Sequence, residues 1–369
     1  MRVLAFGTFD AALHPRVAVL LAGLRAHGHD VVEVNEPLGL STEQRVATLQ
    51  QPWRLPRLGW QLARSWSHLV AASRRQARPD LVVVGFLGHF DVVLARVLFL
   101  GVPIVLDFLV SAEETARDRG TTSRLLLRAL SWLDRVALRC ADVVVIDTEE
   151  HLAIVGAHRR VDAVVVPVGA LDEWFAMQSD QTRRPGPLRV VFYGLFTPLH
   201  GAPVIGRAIS LLADDLIEFT VIGGGQDYDR TFLEAGTNRR VRWIPWVAPG
   251  DLPAMVAGHD VCLGIFGAGE KARSVVPNKV FQGMAAGLAV VTSDTAPQRR
   301  ALAGVAELVP PGDPQALAEA LRRFAADPVR LKESRARSAA HARAHMTPRS
   351  VTATLADRLG ERPIVSRMG

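Results

Sequence analysis

Three cations, Lys271, Arg273 and Lys279, surround the start of a stretch that reads as a short helix ended by glycine. It runs Pro277-Asn278-Lys279-Val280-Phe281-Gln282-Gly283-Met284-Ala285-Ala286-Gly287. Pro277 suits the first helical position, where its missing N–H would be unpaired anyway. The first turn of a helix attracts anions, and here side-chain cations add to that attraction. Lys279 and Gln282 are three residues apart and share a face. Together they offer cations to a diphosphate and an amide to hydroxyls, the two needs of a nucleotide-sugar. The competing reading is a solvated basic helix start.

The bulk numbers agree with an anionic ligand. The chain has 369 residues, enough for two domains, and a formal net charge of +6. Its apolar and charged fractions, 49% and 22%, are those of an ordinary globular protein. The basic balance favours nucleotides, phosphates, nucleic acid or a membrane surface. Its two cysteines, Cys140 and Cys262, form neither a disulfide framework nor a metal site, so a cytoplasmic location is expected. The first apolar run is cut by Asp10 and does not read as a signal peptide. The stretch from Val92 to Leu106 carries Arg96 and Pro103, so no spanning helix is expected.

Short β-branched runs alternate with longer amphipathic stretches, the pattern of parallel sheets flanked by helices. Strands are expected at Val3–Phe6, Val31–Val34, Leu81–Val84, Ile104–Leu106, Val143–Ile146 and Ala163–Val166, with helices near 15–25, 55–75, 92–99 and 123–139. A polar stretch ending in Pro185-Gly186-Pro187 reads as a linker. The pattern then restarts, with strands at Arg189–Tyr193, Phe219–Ile222, Val241–Ile244, Val261–Ile265 and Ala289–Thr292, and helices at 203–212 and 277–286. The expected organisation is a Rossmann-like domain over 1–172, a linker over 173–187 and a second Rossmann-like domain over 188–345. A helical tail over 346–369 would return to the first domain.

In open parallel sheets, ligands sit beyond the carboxyl ends of the strands. Four loops there could carry chemistry. Phe6-Gly7-Thr8-Phe9-Asp10 is followed by His14-Pro15-Arg16, where His14 and Arg16 flank a helix start. Gly194-Leu195-Phe196-Thr197-Pro198-Leu199-His200-Gly201 could cradle phosphate with backbone N–H groups. Gly223-Gly224-Gly225 could bring backbone against a base or ribose. Gly264-Ile265-Phe266-Gly267-Ala268-Gly269 leads into the cationic helix start. The sequence holds no P-loop, no G-x-S-x-G elbow and no His/Cys cluster with zinc spacing.

Residues 51–78 contain Trp53, Trp60 and Trp66 with six arginines and no Asp or Glu. Such a segment could lie on an anionic membrane, or bury its tryptophans as an ordinary surface helix.

These residues resemble the GT-B glycosyltransferases, in particular the retaining family-4 enzymes that use nucleotide-sugars. The likeness spans nearly the whole chain and is strongest from Val190 to Asp294. Tyr193-Gly194-Leu195-Phe196-Thr197-Pro198-Leu199-His200-Gly201 resembles the family's glycine loop near the diphosphate. Phe219-Thr220-Val221-Ile222-Gly223-Gly224-Gly225 resembles its nucleotide loop, and Trp246-Val247 with Asp251 to Leu263 its base-side segment. Pro277 to Gly287 resembles its donor helix, P-N-K-x-x-E-x-M-A-x-G. Three departures stand out. The family's glutamate pair falls at Ser274 and Gln282, so Gln282 would accept ribose hydroxyls without charge assistance. His200 replaces the lysine of a K-G pair. Asp107 stands where a histidine often follows an N-domain strand.

The resemblance implies an α/β protein of two Rossmann-like domains facing a central cleft. It implies transfer of a glycosyl group from a nucleoside-diphosphate sugar, UDP or GDP, with retention, in cell-surface glycan, glycolipid or natural-product biosynthesis. The catalytic candidates are Asp107, His14 and Lys279. The donor-binding candidates are Gly194, Thr197, His200, Gly201, Gly223, Gly224, Gly225, Trp246, Val247, Lys271, Arg273, Lys279 and Gln282. No metal, cofactor or nucleic-acid partner is expected, because side-chain cations would meet the charge of the leaving diphosphate. The acceptor divides between a lipid-linked sugar, with peripheral contact through residues 51–78 on the inner face of the plasma membrane, and a soluble natural product. A non-catalytic nucleotide- or glycan-binding protein of the same fold is the alternative function, permitted by Gln282 and Asp107. A sugar-phosphate epimerase shares the fold, but its acidic and histidine residues cannot be assembled here.

Overall fold

The computed structural model describes residues 1–11, 14–38, 55–109, 111–156, 162–178, 186–302 and 304–361. The chain divides into two compact units, one of residues 1–167 with 351–369 and the other of residues 168–350. Each unit is a six-stranded parallel sheet between helical layers.

In the first unit the strands are β1 (Arg2–Gly7), β2 (Asp30–Asn35), β3 (Leu81–Val84), β4 (Ile104–Asp107), β5 (Val143–Ile146) and β6 (Asp162–Val165), in spatial order β2-β1-β3-β4-β5-β6. Sequences such as Leu-Val-Val-Val and Val-Val-Val-Ile are buried on both faces, as a covered parallel sheet demands. Leu4, Phe6, Val82, Val84, Leu106 and Ile146 point to one side, toward helices Leu55–Ser73, Asp91–Leu98, Arg124–Cys140 and Glu149–Gly156. Val3, Ala5, Val83, Val105 and Val145 point to the other side, toward helix Pro15–Ala26 and the C-terminal helix Ala353–Glu361. Leu355 and Leu359 of that last helix complete the core, and Arg358 pairs with Asp162.

The second unit has β7 (Leu188–Tyr193), β8 (Ile217–Ile222), β9 (Val241–Ile244), β10 (Val261–Leu263), β11 (Ala289–Ser293) and β12 (Glu307–Val309), in the order β12-β11-β10-β7-β8-β9. Numbered from β7, this is the 3-2-1-4-5-6 order of dinucleotide-binding sheets, and it reverses between β7 and β10. The reversal parts the loops after those two strands and makes room for a ligand.

Several elements differ from their expected form. The N-terminal segment of the first unit ends at Pro167, and helix Asp172–Ala176 stands where the linker is expected to begin. Trp174 of that helix is buried and stacks on Tyr193, so this part is core of the second unit. The rest of the expected linker, 179–185, lies outside the described residues. The edge strand β12 lies outside the expected strands: it is as short as β10 but opens with a charged residue instead of continuing an apolar run. Pro277 caps its helix from extended backbone (φ −76°, ψ 150°), and the helix proper is Asn278–Ala285. Among the described residues, no helix is long and apolar enough to cross a membrane.

Candidate functional site

At the carboxyl end of β7 the chain turns through Gly194, at φ +136°. Its N–H donates to the Ile222 carbonyl at 3.0 Å, and Phe196 N–H donates to Gly224 at 3.0 Å. The loops after β7 and β8 are thus laced together. A Cβ at Gly223 would fall 2.0 Å from the Gly194 oxygen, so only glycine permits this approach. The loop after β10 joins from the other side of the reversal. Phe266 N–H donates to the His200 carbonyl at 2.9 Å, and a Cβ at Gly201 would lie 2.4 Å from Gly267 N. Gly201 is left-handed (φ +59°) and starts helix Ala202–Leu211. Three of the four expected loops therefore meet at one sheet edge of the second unit. The fourth, at Gly7, belongs to the first unit.

Lys279 reaches into this junction. It is the second residue of its helix, 4% exposed, and its Nζ has no hydrogen-bond partner. That Nζ lies 4.2 Å from the Phe192 ring centroid and 3.1 Å from where a Gly194 Cβ would be. Burial pulls its pKa down from the ordinary lysine value to about 7. His200 packs beside it, with Nδ1 at 2.8 Å from Thr197 Oγ1. Burial lowers the His200 pKa well below its ordinary value, and Lys279 and Lys271 push it further down. The imidazole is neutral at neutral pH, so His200 does not replace the charge of the lysine it stands for.

Gln282, one turn after Lys279, is also buried, and its Oε1 accepts from the Tyr193 hydroxyl at 3.1 Å. That hydroxyl lies 3.4 Å from the Lys279 carbonyl, so one phenol ties β7 to the helix. Sequence reasoning missed the fixing roles of Tyr193 and Trp174.

The three cations do not cluster equally. Lys271 and Arg273 lie on a single 3-10 turn, Lys271 half-buried and Arg273 exposed, while Lys279 is enclosed. Past β9, Trp246 is 69% exposed and Val247 half-buried. The neighbouring Gly223 N–H donates to the Ile244 carbonyl at 2.8 Å.

In the first unit, Asp107 ends β4 with a wholly buried carboxylate. Burial raises its pKa, against the pull of Arg16, whose Nε lies 3.2 Å from Oδ1. Arg16 also donates to the carbonyls of Val166 and Pro167 at 2.6 and 2.7 Å. The catalytic candidate Asp107 and Arg16 are both buried and bonded to each other, while Asp107 Oδ2 and Arg16 Nη2 have no hydrogen-bond partner. His14 precedes helix Pro15–Ala26, its ring 4.7 Å from that of Phe86. Two arrangements there were not foreseen. Asp147 at the end of β5 pairs with His151. Asp91 accepts from Thr8 N–H, Thr8 Oγ1 and Trp66 Nε1 at 2.7, 2.8 and 3.0 Å, locking the loop after β1. Among the described residues, no group of three or more His, Cys, Asp or Glu is placed to hold a metal ion.

Comparison with known proteins fits this geometry. Residues 187–327 match the family model described as "Glycosyl transferases group 1". No curated protein matches the chain by sequence. Among solved structures, it is similar to sucrose-phosphate synthase from Thermosynechococcus elongatus, with TM-score 0.68, 15% identity and 98% of each chain covered. It is similar to Anabaena HepE in complex with UDP-glucose, with TM-score 0.66, 16% identity and coverage of 98% of this chain and 99% of that one. A UDP-forming α,α-trehalose-phosphate synthase from Burkholderia vietnamiensis has TM-score 0.67 and 15% identity, over 98% of this chain and 100% of the other. At such identities the likeness establishes the fold. The chain thus has the GT-B architecture of two Rossmann-like domains, and its C-terminal unit carries a segment of the group 1 glycosyl transferase type.

Proposed function

We propose that this protein is a glycosyltransferase whose second unit binds a nucleoside-diphosphate sugar and whose first unit binds the acceptor. The observation that carries the reading is Lys279, a buried ammonium without a partner among glycine loops at the reversal of the sheet. Such a group is costly unless an anion meets it. A diphosphate beside Gly194 would meet it and raise its pKa. As the bond from the sugar C1 to the diphosphate oxygen breaks, the leaving group takes the electron pair. Lys279 and the backbone N–H groups of the glycine loops would stabilise that charge, with Lys271 and Arg273 in support. Gln282 would hold the ribose and Trp246 would flank the base. The family resemblance supports a retaining course.

The complexes of Anabaena HepE with UDP and UDP-glucose favour uridine over guanosine as the base. A thermal-shift series with UDP, GDP, ADP, dTDP and CMP, with and without magnesium, tests the reading. A selective, magnesium-independent rise with UDP is expected. No rise with any of them would remove the donor site.

A second reading, a nucleotide-binding protein without transferase activity, is favoured by the uncharged Gln282, the neutral His200 and the inward Asp107. It predicts UDP binding without hydrolysis of UDP-sugar over long incubation.

A further inference from the structure

The first unit exposes eight large apolar side chains among its described residues. Seven lie on or beside the four helices that cover one side of its sheet, and none lies on the helices of the other side. Monomeric proteins scatter such residues singly, so their confinement to one layer needs a cause. They include Trp60 (64% exposed), Val97, Leu100, Leu125 (79%) and Trp132 (61%).

Helix Arg124–Cys140 is the centre of this layer. Its inner face buries Leu130, Ala137 and Leu138. Its one acidic residue, Asp134, also points inward and accepts from Ser111 Oγ at 2.7 Å and Ala112 N–H at 3.0 Å. Outward it shows Leu125 and Trp132 among Arg124, Arg128 and Arg135. A groove of ≈ 600 Å³ runs along it, walled by these three arginines, Arg117, Trp132 and Leu127. The groove's one carboxylate, Glu113, is taken by Arg117 at 2.7 Å.

We propose that this face docks on an anionic lipid bilayer, with helix Arg124–Cys140 lying in the interface. Aliphatic and indole groups suit the boundary between headgroups and acyl chains, and arginines around them suit lipid phosphates. A nucleic acid would give no use to exposed Leu125, Val97 and Leu100. A two-fold copy would set arginine against arginine. The face is centred on helix Arg124–Cys140 rather than on residues 51–78, which contribute Trp60 to it. Trp53 lies outside the described residues, Trp66 is tied to Asp91, and Trp60 is exposed. The docking face lies wholly within the first unit and does not depend on the donor site.

The test is co-sedimentation of the full chain with phosphatidylcholine vesicles, with and without phosphatidylglycerol, at low and high salt. Two double variants at exposed positions accompany it, Leu125→Ser with Trp132→Ser, and Arg124→Gln with Arg128→Gln. Circular dichroism melts confirm that each remains folded. Binding that requires phosphatidylglycerol, weakens with salt and drops about tenfold or more in both variants is expected. Absence of wild-type binding, equal binding to neutral vesicles, or full binding by either folded variant overturns the proposal. So does a wild-type dimer in solution that Trp132→Ser converts to monomer, which would assign the face to a second copy.

Discussion

Lys279 Nζ stands over the ring of Phe192, 4.2 Å from its centroid, and the π face is its nearest compensation for lost water. A cation–π contact is worth about 0.5–2 kcal/mol, less than the several kcal/mol needed to bury an ammonium. The unliganded site is therefore strained by its own lysine. Lys279→Met, close in length, is expected to stabilise the free protein by about 1–4 kcal/mol while raising the Kd for UDP tenfold or more. Urea unfolding and titration calorimetry on one preparation test both. A variant that loses stability and keeps UDP affinity would remove Lys279 from the site.

The same lysine sets a pH dependence. Its folded pKa of about 7 lies below the ordinary lysine value, so between pH 7 and about 10 the unfolded chain holds more protons. The penalty for burying Lys279 is fully present below pH 7 and fades as pH rises toward 10. Donor binding runs the other way. Below pH 7 the ammonium is already charged for a diphosphate. Above pH 7 a proton must be taken up, and the Kd for UDP-glucose should rise toward tenfold per pH unit. UDP-glucose is the better probe, because it lacks the terminal phosphate ionisation of UDP. In Lys279→Met the slope between pH 7 and 9 should vanish; its persistence would assign the titration elsewhere.

Much of the architecture was legible because it is local. Leu81–Val84 and Val143–Ile146 are unbroken apolar runs made almost wholly of β-branched residues, and they are strands with the bounds read from the sequence. Helix Asp172–Ala176 hid in a polar stretch because five residues carry too little period. The site was legible in type more than in state. Lys279 could be named as a cation from its place beside Pro277. Its enclosure depends on Phe192, Gly194 and His200, more than seventy residues earlier, and no local pattern encodes that contact. Likewise the bond between Arg16 and Asp107, 91 residues apart, is written in neither local stretch.

The glycine loops predict a contrast between two positions. At Gly201 a methyl group would meet the Phe266–Gly267 backbone at 2.4 Å, on a residue at φ +59°. Neither backbone segment can yield without opening the Phe266–His200 hydrogen bond. Gly201→Ala should cost at least about 2 kcal/mol. At Gly224 a methyl group would meet nothing within 4 Å, and Gly224→Ala should stay within about 0.5 kcal/mol. Comparable urea midpoints for the two variants would contradict the packing of these loops.

Tyr193 separates fixing a ligand contact from making one. Its hydroxyl holds Gln282 Oε1, while Trp174 stacks on its ring at a centroid distance of 6.1 Å. Tyr193→Phe keeps the ring packing and frees the amide, at a stability cost of about 1 kcal/mol. If Gln282 holds ribose, the freed amide must be ordered at each binding event. KM for UDP-glucose should then rise several-fold with kcat little changed, because the lost contact serves substrate and transition state alike. The preference for UDP-glucose over its 2′-deoxyribose analogue should narrow in Tyr193→Phe and disappear in Gln282→Ala. An undiminished preference in Gln282→Ala would mean that another group reads the ribose, and Tyr193 would then be a packing residue of the β7 end.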